Sequence, residues 1–454
     1  MKKGLFFTLT LLLSASEPPR VCARGPMARS QMPQLTVSGE STFNVWWFHN
    51  QNIKNSNDND FGQGSFLNEN QIPSLAATLT SSSLSGDTQN EYGRGYIFTM
   101  DDSRLKFDLS GVSDYGTDYG LVVNIDTNTE QTFGDKTIKE TYVWIDGVWG
   151  CLTLGNTNGV EEFMAFGGYD PLGGTGGFDG NFDRVVNLVT GTVTSVGIVE
   201  GTDKSTKVIY QTPRFYGFQG GLSFAPQYGH LGENKIQSTK DYSWNGDLQP
   251  FDRRSTSLAL NYMNDWKNGL SLGASLTAVF AKTLPGFSGS QWFIVDQNNT
   301  VIVRGAGNRK NTAGYAMGTS MHYKDFQFGV EFGDNGKSHE VKDLKVQTGQ
   351  ETNAGCFMDT GIAYHFGPTK LSFGYMYTKR KAIHLNVNNT FGKAQNRTHI
   401  LSIDLDHKLA PGAGVYFEYV HLDMKNEGFN VDAMINNTRV TQFAAKGWES
   451  KRKT

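Results

Sequence analysis

Past its first residues this chain has no run of 18 apolar residues, so membrane-spanning helices are excluded. It also lacks a strong excess of either charge: 41 Lys and Arg stand against 44 Asp and Glu. Nucleic-acid binding leaves a basic footprint that a net charge of −3 does not supply. Cysteine is scarce, with Cys22, Cys151 and Cys356 only. No CxxC and no Cys/His cluster marks a metal site, and spacing leaves open whether Cys151 pairs with Cys356. Proline is limited to 12 residues. Catalytic signatures are missing as well. There is no HExxH, no Gly-x-Ser-x-Gly and no triad-like spacing of Ser, His and Asp. The expectation is therefore a protein that is not an enzyme and carries no cofactor.

What the chain does have is glycine (53 residues) and aromatics (30 Phe, 18 Tyr and 8 Trp), a composition of many strands and turns. The N-terminus reads as a secretory leader. Lys2 and Lys3 precede an apolar run from Gly4 to Ala15, too short for a span of about 20 residues. Val21-Cys22-Ala23 places the cut near residue 23, giving a leader over 1–23 and one domain over 35–448.

Beyond the leader, period-two alternation recurs throughout, the mark of strands. Leu35, Val37, Phe43, Val45 and Trp47 alternate with polar partners, and Leu105, Phe107 and Leu109 alternate with Arg104, Lys106 and Asp108. Continuing to a weak strand at 439–448, the pattern predicts about sixteen strands. Asp146-Gly147 is the expected turn between the strands ending and beginning there. Connections alternate between short (146–148, 216–217, 324–325, 367–368) and long (50–95, 156–206, 228–254, 284–311). This asymmetry is that of an all-β, transmembrane antiparallel β-barrel, with tight turns at one rim and long loops at the other. The polar strand set, including Glu331, Asp359, Asp404, Asp406 and Glu418, would face a wet lumen. Aromatics near strand ends, among them Trp46, Trp47, Trp149, Tyr216 and Tyr323, would form interfacial girdles.

The longest of these connections that keeps large apolar groups lies between residues 156 and 206. It carries Glu161, Glu162, Asp170, Asp179 and Asp183, glycines from 167 to 180, and Phe163, Met164, Phe166, Tyr169 and Phe178. Such apolar content argues for an ordered loop packed against something. The expectation is that it folds into the lumen at the narrowest point.

Three stretches then resemble one family: Ser103-Arg104-Leu105-Lys106-Phe107-Asp108-Leu109, Tyr142 to Asn156, and Val208-Ile209-Tyr210-Gln211-Thr212-Pro213-Arg214-Phe215-Tyr216-Gly217. Their order and spacing resemble the general porins of Gram-negative bacteria, sixteen-stranded trimeric diffusion channels. The resemblance implies outer-membrane lipid as surroundings, small hydrophilic solutes and ions as cargo, and a homotrimer. It also implies a third loop whose acids (Glu161, Glu162, Asp170, Asp179, Asp183) face a basic wall (Arg104, Lys106, Lys207). Transverse charge of that kind would set selectivity. Two departures thin the basic wall: Tyr142 and Asn156 stand where relatives have arginine. Trp448 stands in for an expected terminal Phe.

A substrate-selective sugar-type channel and a surface adhesin or binding barrel without conductance are the alternatives. Asn57-Asp58-Asn59-Asp60 resembles half a calcium loop but lacks its closing Glu. Arg304-Gly305-Ala306-Gly307 lacks the strand–helix context of a phosphate loop.

Overall fold

The computed structural model describes residues 2–14, 31–51, 94–126, 138–180, 204–227, 251–284, 292–295, 301–305, 310–338, 340, 342, 349–385 and 391–426. Eighteen strands lie among them. They are β1 (Lys2–Ser14), β2 (Gln31–Gln51), β3 (Arg94–Val112), β4 (Asp118–Asp126), β5 (Ile138–Gly147), β6 (Gly150–Asn156), β7 (Thr206–Gln211), β8 (Phe218–Gln227) and β9 (Phe251–Asp265). They continue with β10 (Leu270–Leu284), β11 (Trp292–Val295), β12 (Val301–Gly305), β13 (Thr312–Tyr323), β14 (Phe326–Asp334), β15 (Cys356–Phe366), β16 (Thr369–Leu385), β17 (Phe391–Ala410) and β18 (Ala413–Asn426).

Sixteen of these form one closed barrel in sequence order, and β11 pairs only with β12. All the barrel ladders are antiparallel. Closure matters because a sheet edge in hydrocarbon leaves backbone groups without partners. The closing strand is β1, which pairs β18 on one side and β2 on the other. Residues read from sequence as the apolar heart of a leader thus occupy the seam. The expected strand at 439–448 lies outside the described residues, as do the leader's cut site, Asp183, Trp448 and residues 52–93 of the expected loop 50–95, whose ends belong to β2 and β3.

Alternation sorts the side chains as expected. Leu35, Val37, Trp47, Val143, Leu260, Leu276, Phe328 and Ile362 are exposed on the outside, where lipid replaces water. Their neighbours in sequence point inward. At the short-turn rim, Trp149 stacks on Tyr210, and Phe218 meets Tyr262 and Phe326 meets Tyr364 with tilted rings, an aromatic belt of the kind interfaces favour.

Two local expectations are corrected. The turn between β5 and β6 is Val148-Trp149, not Asp146-Gly147. Asp146 pairs Cys151 and Gly147 pairs Gly150, so the ladder runs on past Gly147. Trp46 does not join a girdle: it is fully buried and packs with Phe178, Met376, Ile400, Val420 and Leu422 inside the barrel. Its parity decides this, since Trp47 takes the outward position beside it. The Tyr216-Gly217 turn is tight, with φ of 48° and 87°, matching the doubly left-handed hairpin turn that glycine eases. Cys356 is a free thiol.

Candidate pore constriction

After β6 the chain does not return to the rim but runs around the inner wall. It begins with a single helical turn, α1 (Val160–Phe163), and ends, as far as residue 180, in a 3-10 turn at Gly177–Asp179. Between them it crosses nine neighbouring strands in order, and each strand offers it a place. On β8, Ser223 Oγ accepts from the Val160 N–H at 3.4 Å. On β9, Asn261 Nδ2 donates to the Met164 carbonyl at 3.4 Å, and on β10, Ser275 Oγ accepts from the Phe166 N–H at 2.8 Å.

The next strands receive the loop because they have no side chain at the contact. A Cβ on Gly318 of β13 would lie 1.7 Å from the Phe166 oxygen. One on Gly329 of β14 would lie 2.1 Å from the Gly167 oxygen, and one on Gly361 of β15 would lie 2.0 Å from the Gly168 oxygen. Glycine in a strand interior weakens the strand, and close backbone approach is a common reason to keep it.

From β15 onward acids do the holding. Asp359 Oδ1 accepts the Gly168 N–H at 2.7 Å. Ser372 Oγ of β16 accepts the Gly173 N–H at 3.0 Å and in turn donates to Asp404 Oδ2 at 3.0 Å. Asp406 Oδ1 of β17 accepts the Gly174 N–H at 2.8 Å. Glu418 Oε2 of β18 accepts the Thr175 N–H at 2.6 Å, and the Thr175 hydroxyl donates to the same carboxylate at 2.9 Å. Lys370 Nζ donates to the Leu172 carbonyl at 2.8 Å. Carboxylates accepting backbone N–H groups make strong, charge-assisted bonds. The loop glycines are required on this side too. A Cβ at Gly173 would sit 1.9 Å from Asp406 Oδ2, and one at Gly174 would sit 2.2 Å from Glu418 Oε2.

Above this polar row lies a dry one. Leu172 and Phe178 of the loop pack with Trp46, Met376, Ile400, Val420 and Leu422 of the wall, with Tyr169 against them. Phe178 fits over Gly374 of β16, where a Cβ would meet its ring at 2.7 Å. Burial, followed by the neighbouring carboxylates of Glu331, Asp170, Asp359 and Asp179, pushes the Tyr169 hydroxyl above the usual tyrosine range.

The loop acids named from sequence therefore take different places. Glu161 is buried, and the Ser223 hydroxyl lies 3.5 Å from its Oε2. Glu162 is exposed and accepts from Asn158 Nδ2 at 2.6 Å. Asp170 keeps an open face, and its Oδ2 accepts the Gly167 N–H at 3.0 Å. Its position deep in the barrel desolvates the carboxyl and raises its pKa, opposed by that N–H and the Ser320 hydroxyl. Asp179 is exposed.

The named bases sit on the wall the loop leaves bare, or nearly so. Arg104 and Lys106 are half-buried on β3, and Arg104 Nε lies 3.2 Å from Glu40 Oε1 of β2. Lys207 on β7 is buried, 2 % exposed. Glu140 of β5 completes this side, accepting from Asn124 Nδ2 at 3.2 Å and Thr157 Oγ1 at 3.3 Å.

Sequence reading missed how the wall acids are used. Glu331, Asp359, Asp404 and Glu418 point inward as expected, but they are not wet. Each is 0–1 % exposed, because the loop lies on them. It also passed over Gly318, Gly329, Gly361 and Gly374. The available signal was glycine at inward parity on four consecutive strands.

A family model described as Gram-negative porin matches residues 28–427. The chain belongs to the Gram-negative porin family. Curated relatives of this porin include an uncharacterised protein of Rickettsia typhi, 24 % identical over 328 residues, covering 63 % of this chain and 70 % of the relative. Another, from Rickettsia prowazekii, is 23 % identical over 327 residues with the same coverage. Among solved structures, a loop-deletion mutant of OmpT, an outer-membrane protein of Vibrio cholerae, aligns with a TM-score of 0.41 at 11 % identity. It covers 73 % of this porin and 93 % of that chain. The anion-selective porin of Comamonas acidovorans aligns with a TM-score of 0.39 at 10 % identity, over 74 % and 94 % of the two chains. As a member of its family, this porin is an outer-membrane β-barrel that crosses the bilayer with its strands.

Proposed function

We propose that this porin is a passive diffusion channel for small hydrophilic solutes and ions and that it performs no chemistry. The observation that carries the reading is the loop after β6, fastened across nine strands inside the barrel. A barrel that served only as a scaffold for outer loops would have no use for a partition in its lumen. The passage runs between the free face of the loop and the wall of β2 to β5. Asp170 and Asp179 on one side then face Arg104 and Lys106 on the other, and low-dielectric walls focus the field between them. Asp183 and Lys207 belong to the same proposed set. Removal of residues 1–23 as a leader and assembly as a trimer are part of this reading.

The test is current through the purified protein in a planar lipid bilayer. Stepwise increments of ohmic current, grouped in threes, are expected. A folded, heat-modifiable barrel that passes no current would overturn the reading in favour of a binding barrel. Current blocked saturably by one sugar would favour the substrate-selective alternative.

A further inference from the structure

On the outside of the barrel, where β16 and β17 approach the long-loop rim, we infer a binding site for the phosphate groups of outer-leaflet lipids. The inference does not rest on the pore reading. It needs only the barrel's place in the outer membrane and the side chains that face away from the lumen.

Along β16 the outward side chains pass from Phe373 and Tyr375 to Lys379 and Lys381, and along β17 from Leu405 and Leu401 to Arg397 and Lys393. Register puts the change from apolar to basic at one height on both strands, with Tyr377 opposite His399 and Lys379 opposite Arg397. His399 marks the level. Its Nδ1 lies 2.8 Å from the Tyr375 hydroxyl, and its ring centroid lies 4.9 Å from that of Tyr377. Amphipathic rings of this kind sit at a membrane–water boundary. The cations above them therefore stand where acyl chains end and head groups begin, on the side of the long loops, which is the outer one.

These four cations are uncommitted. Among the described residues none of them makes an ion pair. Arg397 donates from Nε to Gln395 Oε1 at 2.8 Å and from Nη2 to the same oxygen, a neutral acceptor that leaves the charge uncancelled. Lys379 and Arg397 oppose each other directly across the ladder, an arrangement that costs stability unless an anion lies between them. The register continues to Lys425 of β18. The acids of this face lie at its margins: Asp334 of β14 faces Cys356 of β15, and Asp423 of β18 faces His399 one row lower. A dissolved anion would need only the charges. Here an apolar strip lies directly beneath them, with Phe373 and Leu401 43 % and 41 % exposed, and it offers acyl chains a path along the wall. Lysine stems can lie along such a strip while their ammonium groups reach the phosphate, and the planar guanidinium of Arg397 matches phosphate oxygens. Basic clusters beside an apolar membrane segment recognise anionic lipid in this way.

The experiment is native mass spectrometry of the full-length porin released from nonionic detergent micelles that hold equal amounts of phosphatidic acid and phosphatidylcholine. Retained phosphatidic acid should exceed retained phosphatidylcholine severalfold. Lys379→Gln combined with Lys381→Gln, Lys393→Gln and Arg397→Gln should remove the preference. Lys267→Gln with Lys324→Gln, at the short-turn rim, should leave it in place. If the first variant does not fold, Lys379→Gln with Arg397→Gln, the opposed pair alone, is read against the same outcomes. Equal retention of the two lipids by the wild type would overturn the inference. So would a preference that survives loss of the named cations, or one lost equally in the short-turn variant. Displacement of the lipid by excess inorganic phosphate would assign the cations to a dissolved anion, and a variant that loses its oligomer but keeps its lipid would assign them to a second copy of the chain; either result overturns it.

Discussion

Gly329→Ala adds one methyl group at the point where the loop backbone lies on β14. The strand itself loses nothing, since alanine is at ease there. The new Cβ would stand 2.1 Å from the Gly167 carbonyl oxygen, and ordinary contact begins near 3.4 Å, so the loop must rise by about 1.3 Å. The adjacent Gly168 N–H to Asp359 bond, now 2.7 Å, cannot survive such a lift. A hydrogen bond to a charged group contributes roughly 1.5–3 kcal/mol, and leaving a buried carboxylate short of a donor adds to the cost. Loop docking should therefore weaken by about 2 kcal/mol or more, enough to populate lifted states. Single-channel recording reads this as a changed unitary conductance with added open-channel noise. Gly220→Ala on β8 is the control, because its Cβ would meet nothing nearer than 3.6 Å. If Gly329→Ala and Gly220→Ala both gave wild-type traces, the loop would not lie on the glycine track.

Phe178→Ala should detach the far end of the loop. Truncating a fully buried phenylalanine costs about 3–5 kcal/mol, so limited proteolysis should cut the loop in this variant and spare it in the wild type. At Glu418, which holds both the N–H and the hydroxyl of Thr175, Glu418→Gln should keep most of the loop's protease resistance and Glu418→Ala should lose it. Equal loss in both would mean that charge, and not the acceptor, is what holds the loop. For Asp170, whose pKa is raised by desolvation, the folded loop holds a proton more tightly than the unfolded one. That contribution is complete below the ordinary carboxylate range and fades as pH rises through the raised value. Wild-type heat stability should thus fall relative to Asp170→Asn as the medium goes from acid to neutral, and a parallel course would contradict the assignment. Finally, if residues 1–23 are removed in the membrane, β2 and β18 lose the strand between them, and hydrocarbon does not tolerate the open edges. Deletion of 439–448 should then abolish assembly of the processed barrel. N-terminal sequencing of membrane-extracted protein that begins at Met1 would remove the premise.

Much of the barrel was legible because one rule governs it. Wherever one face meets lipid, period two is enforced, and Leu260, Leu276 or Ile362 cannot slip by one residue without turning inward. The loop's entry into the lumen was legible from its mixture of glycine and large apolar groups. What could not be read was its path. Alternation marks Asp359 and Glu418 as inward residues but does not say that backbone N–H groups, and not water, meet them. Nor does a single chain position reveal that Gly318, Gly329 and Gly361 line up, since their alignment depends on register across three strands. Trp46 failed for the opposite reason. An aromatic near a strand end usually sits at the interface, and only its neighbour Trp47 holding the outward place shows that it does not.

The central claim is that the fastened loop leaves a narrow, water-filled passage through the barrel. Swelling of proteoliposomes in a series of neutral sugars of rising size tests it most directly. The expected result is rapid entry of monosaccharides, slowing steeply for disaccharides and vanishing for larger oligomers, with the cutoff moving upward in Gly329→Ala. Failure of even the smallest sugar to enter vesicles that carry folded porin would contradict the account.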